Sequence, residues 1–520
     1  MSTFKTPGVY IVELNVSPAP VVAAPTSVPV FIGYTPRAVD ALGRDCTNRA
    51  MRITSYAEFA AMYLPENTTD FSTHYAVLPK SEVKGNAPVL KLGGQAFVVT
   101  PDPDTVYYTV NSVKMFFLNG GGPAYVISLG NYGPASGQFQ KIFDDPIINK
   151  NVHSEAYLKA MALLEKECEP AVCVMPDAVL SDSDGYAQVI NAALTMAQDT
   201  GRYFCLFDIR CPVPPVQDNL QEAITQFRAA IAPQMDGNTR SYGASYFPWL
   251  NSTLYQDDVP DYRNIGDGKL TSLAELLAPE RQENPALAAF LQQTVIATTL
   301  APQEIHQKLL SMSTGYSAII AAVRQQACLV PTTGAIAGVY ATVDQNRAVW
   351  NAPANVALQG VSSLPLAISD TQQADLLDMH HQGIAVNAIR SFPSLGLLVW
   401  GARTLASNDN DWRYIHTRRT LIMLEQSIKA IAMQYVFEPN DANTWTAVNA
   451  SVSNFLTGIW QQGGLFGKEP QDAFQVKIGL GSTMTADDLL NGNMCILIEV
   501  ALIRPAEFLV ITIQQQMAAS

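Results

Sequence analysis

The chain has 520 residues, too many for one core at roughly 100–200 residues per domain, so about three folding units are expected. A formal charge of −14 argues against a phosphate-reading surface, because nucleic-acid binders carry basic patches. With 48% hydrophobic and 15% charged residues the composition is that of an ordinary globular protein, and no apolar run approaches the roughly 18 residues that span a bilayer.

The seven cysteines are odd in number and scattered, and Cys168 with Cys173 lacks the two-residue spacing and second pair of a zinc site. That usage fits a reducing cytoplasm. The opening "MSTFKTPGVYIVELN" has no basic segment followed by an apolar one, so no signal peptide is expected.

In chain order, "PGVYIVELNVSP" (7–18) reads as strand material, followed by the Pro-rich link "PAPVVAAPTSVP". Residues 66–112, with "QAFVVTPDPDTVYYTV", read as a small β insertion. Strands are then expected at 124–130, 171–178, 202–209 and 241–250, alternating with helices at 154–167, 186–201 and 218–232. Such alternation implies a mostly parallel α/β sheet. Helical patterns around 285–300 and 303–328 lengthen the last crossover.

From about residue 361 the texture changes. Strand material surrounds turns at 385–404, and a long helix is expected from Trp412 to about Phe437, where Leu421, Leu424, Ile428, Ile431 and Tyr435 form one apolar stripe. A second helix over 444–462 carries Val448, Val452, Phe455 and Ile459 on one face. "FQVKIGLG" and "CILIEVALIRPAEFLVITI" are strand-like, so the chain ends, as it begins, on a segment of high β-propensity set off by Pro.

A search for chemistry finds little. Gly120–Gly121–Gly122 lies before a strand, whereas a dinucleotide loop follows a strand and opens a helix, and there is no GxxxxGK[ST]. There is no Gly-x-Ser-x-Gly nucleophile elbow. Asp102 and Asp104 lie in a Pro-rich turn, where Asp is favoured for local hydrogen bonding. No catalytic residue, metal ligand or cofactor site is predicted. Arg413, Arg418 and Arg419 cluster at the start of a helix, the unfavourable end for the dipole, so partners are expected for them, within the chain or on another subunit.

Taken in order, "TPGVYIVEL", "VPVFIGYT", "ITSYAEFAAMY" (53–63), "MFFLNGGGPAYVISL" (115–129), "VMPDA" (174–178), "SYFPWL" (245–250), "TGAIAGVYATVDQNRAVWNAPAN" (333–355), "SFPSLGLLVWGART" (391–404) and "RPAEF" (504–508) resemble the contractile tail sheath proteins of phage tails and contractile injection systems. The pairing of "VWGART" with "RPAEF" carries most of the likeness, whereas 66–112 and 255–330 match no motif. The resemblance implies a structural, force-generating subunit, not an enzyme. It would stack as hexameric rings around an inner tube, meet baseplate and tail-terminator or cap proteins and any paralogous sheath subunits, and contract to drive the tube through a target envelope. Assembly in the bacterial cytoplasm, with no nucleic-acid partner and no membrane insertion, is implied as well. The alternatives are a soluble α/β enzyme or another polymeric component of the same apparatus.

The fold expected is α/β and α+β multidomain. Residues 1–22 form an N-terminal arm, 23–360 a Rossmann-like, mostly parallel body with insertions at about 66–112 and 255–330, 361–500 a C-terminal α+β domain, and 501–520 a C-terminal arm. The resemblance assigns strand donation between subunits to Val9, Tyr10, Ile11 and Val12, and to Phe508, Leu509, Val510, Ile511, Thr512 and Ile513. It places a tube-contacting helix at 444–462, with Trp445, Asn449, Ser453 and Trp460 as candidates. Here the sequence departs from a basic gripping surface, since no charged residue lies between Asp441 and Lys468.

Overall fold

The computed structural model describes residues 23–65, 73–167, 169, 171–213, 219–255, 259–296, 300–377, 383–505 and 507. It is a mixed α/β protein with two compact units. The first holds Pro25–Ile422 and takes up the chain again at Arg504; the second holds Met423–Ile503, joined by Ala24.

The first unit is organised by a nine-stranded sheet. Its strands are β1 (Pro29–Gly33), β2 (Ala50–Ile53), β3 (Ala124–Ser128), β4 (Val172–Val174), β5 (Phe204–Asp208), β6 (Gly243–Phe247), β7 (Val356–Ala357), β8 (Asn387–Phe392) and β9 (Gly396–Trp400). The spatial order is β7-β9-β8-β6-β5-β4-β1-β3-β2. Six of them, β3-β1-β4-β5-β6-β8, run parallel, and β2, β9 and β7 add antiparallel edges. Every residue of β1, β5 and β6 is buried, which accounts for their largely apolar sequences, Ser245 and Asp208 excepted: strands of a parallel sheet are covered on both faces.

Chain order and spatial order reverse between β3 and β4, so the carboxyl ends of β1 and β4 flank a topological switch point. The ladder of β8 against β6, with Asn387 opposite Tyr246, ties 387–400 into this sheet. For that reason the unit continues past residue 361 and runs to Ile422.

Two helices escape the sequence patterns. Residues 95–110 read as strand, yet only Gln95–Pro101 is extended, in a three-stranded antiparallel sheet with Tyr75–Pro79 and Leu90–Leu92. From Tyr108 the chain is helical, forming α1 (Tyr108–Leu118). Helix α2 (Ser183–Thr200) closes on Gly201 in the left-handed region. Helix α3 (Thr333–Arg347) falls within a stretch that carries no amphipathic pattern. Both α1 and α3 are buried nearly all round, so neither shows the polar face that reveals a surface helix.

They cross at backbone contact. A Cβ on Gly334 would lie 2.3 Å from the Ser112 carbonyl oxygen, and one on Gly338 would lie 2.6 Å from that of Phe116. Glycine is required there because no side chain fits between the two backbones. Thr342 Oγ1 donates to the Asn119 carbonyl (2.8 Å) one turn further on. Residues 270–327 fold as five helices: Leu270–Leu276, Ala278–Glu283, Pro285–Ile296, Pro302–Met312 and Thr314–Ala327.

The helix α4 (Ile415–Met433) has its first half in the first unit and its second half in the second. The second unit adds α5 (Ala442–Gln461), capped by the Asp441 carboxylate on the Asn443 and Thr444 amides, and a two-stranded antiparallel sheet of β10 (Phe474–Lys477) and β11 (Leu497–Val500).

Gly338→Val is expected to force α1 and α3 apart and lower the unfolding free energy by about 3 kcal/mol. Gly458→Ala in α5, where a Cβ meets nothing within 4 Å, should instead raise it by about 0.5–1 kcal/mol. Urea unfolding followed by far-UV circular dichroism checks both signs.

Candidate functional site

At the switch point, where an α/β sheet of this order holds a nucleotide, the chain places its own carboxylate. Asp177 is fully buried in the turn after β4. Its Oδ2 accepts from the Tyr34 amide (2.8 Å) and Thr109 Oγ1 (2.7 Å), and its Oδ1 from the amides of Tyr108 (2.6 Å) and Thr109 (3.2 Å). The N-terminus of α1, a ready-made anion site, is thus filled from inside. Tyr132 stacks on Tyr107 at 4.5 Å and packs on Tyr34 at 4.7 Å, closing the crevice with rings.

Asp208, at the end of β5, repeats the device on α3. It accepts from the amides of Thr332 (2.7 Å) and Thr333 (2.9 Å) and from both threonine hydroxyls. Burial pushes each carboxyl up to about 6, against the pull of the surrounding donors. Sequence reading passed over both residues; an Asp closing an apolar strand and a Thr-Thr pair opening a buried helix were the available signals. Asp102 and Asp104 serve their turn, accepting from the Gly137 (3.2 Å) and Ser136 (3.1 Å) amides.

The arginine cluster finds its partners inside the first unit. Arg418 is buried between the rings of Trp412 (3.6 Å) and Tyr242 (4.3 Å) and donates to Ser241 Oγ (2.7 Å) and Asn238 Oδ1 (2.5 Å). Arg419 grips Asp344 with two bonds, of 3.0 and 2.6 Å. For Arg418 and Arg419, both buried, these are partners within the chain, one of the two alternatives the sequence left open. Arg413 donates to the Ser407 carbonyl (2.9 Å) and Asn410 Oδ1 (2.8 Å) from a partly exposed position.

The motifs "VWGART" and "RPAEF" meet in space. Arg403, wholly buried, donates from Nε and Nη2 to the two carboxylate oxygens of Glu507, at 2.8 and 2.7 Å. The candidate strand donors Val9, Tyr10, Ile11, Val12, Phe508, Leu509, Val510, Ile511, Thr512 and Ile513 lie outside the described residues.

In the second unit, the four helix candidates bond to their own unit. Trp445 Nε1 donates to Asn440 Oδ1 (2.7 Å), Asn449 Nδ2 to the Val476 carbonyl of β10 (3.1 Å), Ser453 to Asn449 (3.1 Å) and Trp460 Nε1 to the Gly467 carbonyl (3.0 Å). The exposed face of α5 is different: Asn443, Thr446, Ala447, Ala450, Asn454 and Gln461, all uncharged. This unit also exposes Phe437 completely, Leu490 at 86% and Phe466 at 71%, more apolar surface than a finished small domain shows.

Comparison with known proteins bears on this second unit first. Residues 407–516 match the family model of the phage tail sheath C-terminal domain. This part of the chain is similar to the C-terminal domain of tail sheath proteins. The tail sheath protein of Vibrio phage KVP40 is 27% identical over 140 residues, 26% of this chain and 20% of that protein. That of Burkholderia phage BcepMu is 31% identical over 144 residues, 27% of this chain and 30% of its own. The matched stretch thus spans only a fifth to three tenths of these tail sheath proteins.

In fold the likeness is longer. The sheath of the extracellular contractile injection system PVC, in its contracted state, aligns over 99% of both chains with a TM-score of 0.58 at 24% identity. The contracted helical sheath of the anti-feeding prophage aligns over 99% of this chain and 100% of its own, also at 0.58 and 24%. Over its described residues the chain shares the fold of these sheath proteins.

Asp177→Asn would turn an amide NH2 toward buried donors and is expected to cost about 2 kcal/mol at neutral pH. Free Asp ionises near 3.8. Between that value and about 6 the folded state keeps a proton the unfolded state has released, so this contribution to stability is full below about 4 and is lost as pH rises through about 6. The deficit of Asp177→Asn should therefore be larger at pH about 4 than at pH about 7, as measured by chemical unfolding at both.

Proposed function

We propose that this chain is the structural subunit of a contractile sheath, in a phage tail or a contractile injection particle. The observation that carries the reading is the joint one: a sheath C-terminal domain at 407–516 and agreement with sheath folds over nearly the whole length. In this reading copies of the chain stack as hexameric rings around an inner tube, between a baseplate and a terminator or cap. Contraction of the polymer drives the tube through a target envelope. The Rossmann-like body is a scaffold, not a nucleotide enzyme, which agrees with a switch point filled by Asp177 and tyrosine rings.

Arm exchange supplies the connectivity. The two-stranded sheet of β10 and β11 leaves its outer edges without a strand among the described residues. An edge beside exposed Phe and Leu is an aggregation hazard unless a strand covers it. Residues 7–18 and 508–513 of neighbouring copies have the composition to do so, since an added strand gains main-chain hydrogen bonds and its alternate side chains set the register. Links of this kind keep subunits joined while their bodies rotate as rigid pieces. The tube contact falls to α5, with Trp445, Asn449, Ser453 and Trp460 as candidates beside the uncharged exposed face of Asn443, Ala447, Ala450 and Asn454.

Removal of residues 508–520 should leave the purified chain folded and abolish tubes or stacked rings in negative-stain images. Val510→Pro should act in the same direction, by deleting one ladder donor. Normal tubes from the truncated chain would sink the strand-donation reading.

A further inference from the structure

We propose that two arginine–carboxylate clamps, each built on a buried arginine, hold the roots of both terminal arms, and that through them tension between subunits enters the body. The proposal rests on the arm-exchange reading above.

The first clamp is Arg403 with Glu507. Its fork geometry is completed by Arg403 Nη1 donating to Ser407 Oγ (2.8 Å) and by Tyr414 OH donating to Glu507 Oε2 (3.0 Å). Glu507 is the residue immediately before the segment 508–520. The second clamp is Arg419 with Asp344, and it holds Thr26, which follows the N-terminal segment 1–22 closely. Thr26 Oγ1 donates to Asp344 Oδ2 (2.6 Å), and the Thr26 carbonyl accepts from Arg419 Nη2 (2.9 Å). Arg419 also lies over the Tyr340 ring at 4.4 Å. Arg403, Tyr414 and Arg419 all belong to the stretch that leads from β9 into α4. The two ends of the chain are thus tied to one short piece of the first unit.

Burial is what makes these pairs informative. The Arg419 and Asp344 side chains are 3% and 4% exposed, and in the other pair Arg403 is 0% exposed while Glu507, at 23%, meets it from the partly exposed side. Desolvating two charges offsets most of their attraction, so well-packed apolar side chains would stabilise the body as well or better. What a bidentate fork adds is direction: two parallel bonds resist sliding and twisting in a way that an apolar contact does not. A strand anchored this way passes a pull to the sheet at a defined point. By contrast Arg504 with Asp411, whose side chains are 61% and 75% exposed, has the placement of an ordinary surface pair.

The test compares full-length wild type, Glu507→Gln, the double variant Arg403→Met/Glu507→Met, and the chain lacking 508–520. Pelleting and negative-stain imaging read polymer yield, and thermal unfolding reads the body. Glu507→Gln should reduce the yield at least about tenfold while leaving Tm within about 5 °C. The double variant, with an apolar pair in place of the fork, should keep wild-type Tm and the low yield. Thr26→Val, which keeps the carbonyl bond, should lower the yield less.

Wild-type yield from Glu507→Gln or from the double variant, with none from the truncated chain, overturns the clamps and leaves the arms standing. A Tm loss in Glu507→Gln that accounts for its lost polymer, with both restored in the double variant, also overturns the clamps, as it assigns the pair to stability alone. Polymer from the truncated chain removes the arm reading and the clamps with it.

Discussion

Two carboxylates at the carboxyl ends of parallel strands hold the first unit together. Asp177 and Asp208 each take the N-terminus of a buried helix, α1 and α3, and the two helices then meet backbone to backbone at Gly334 and Gly338. Sheet, carboxylate, helix and glycine contact form a closed circuit. Its members constrain one another: a carboxylate without its amides would be an uncompensated buried charge, and the amides without it would be orphaned donors. Neither helix has a polar face to offer water, so their location depends on this circuit.

The circuit also decides where function can reside. Open α/β sheets bind ligands beyond the carboxyl ends of their strands, and here that place, between β1 and β4, holds Asp177, Tyr34, Tyr107 and Tyr132. With the customary site occupied from within, the surfaces left for interaction are edges and ends. The outer edges of β10 and β11, uncovered by a strand among the described residues, and the uncharged face of α5 are such surfaces.

Much of the architecture was legible in advance. Short apolar runs alternating with amphipathic helices marked β3, β4, β5 and β6, because strands buried on both faces must be apolar throughout. The apolar stripes of α4 and α5 were visible for the same kind of reason. What failed was anything buried on all sides: α1 looked like strand because its tyrosines and β-branched residues favour extended chain, and α3 had no periodicity to show. Helical spacing groups Trp445, Asn449, Ser453 and Trp460 on one helix, and the packed unit adds that each is half-buried and bonded within its own unit.

By itself the sequence determined the class of the protein: alternating α/β elements, strand-rich ends set off by Pro, the absence of familiar catalytic motifs, and an ordered series of segments like those of sheath proteins. These are local properties, written in composition and period. Tertiary structure alone decided that Arg418 and Arg419 face inward, that Asp177 fills the switch point, and that "VWGART" and "RPAEF" are two halves of one ion pair. Arg403 and Glu507 stand 104 residues apart, and nothing local specifies such a pairing. It exists because the sheet brings β9 and the returning chain to the same place, where a buried charge must find its partner.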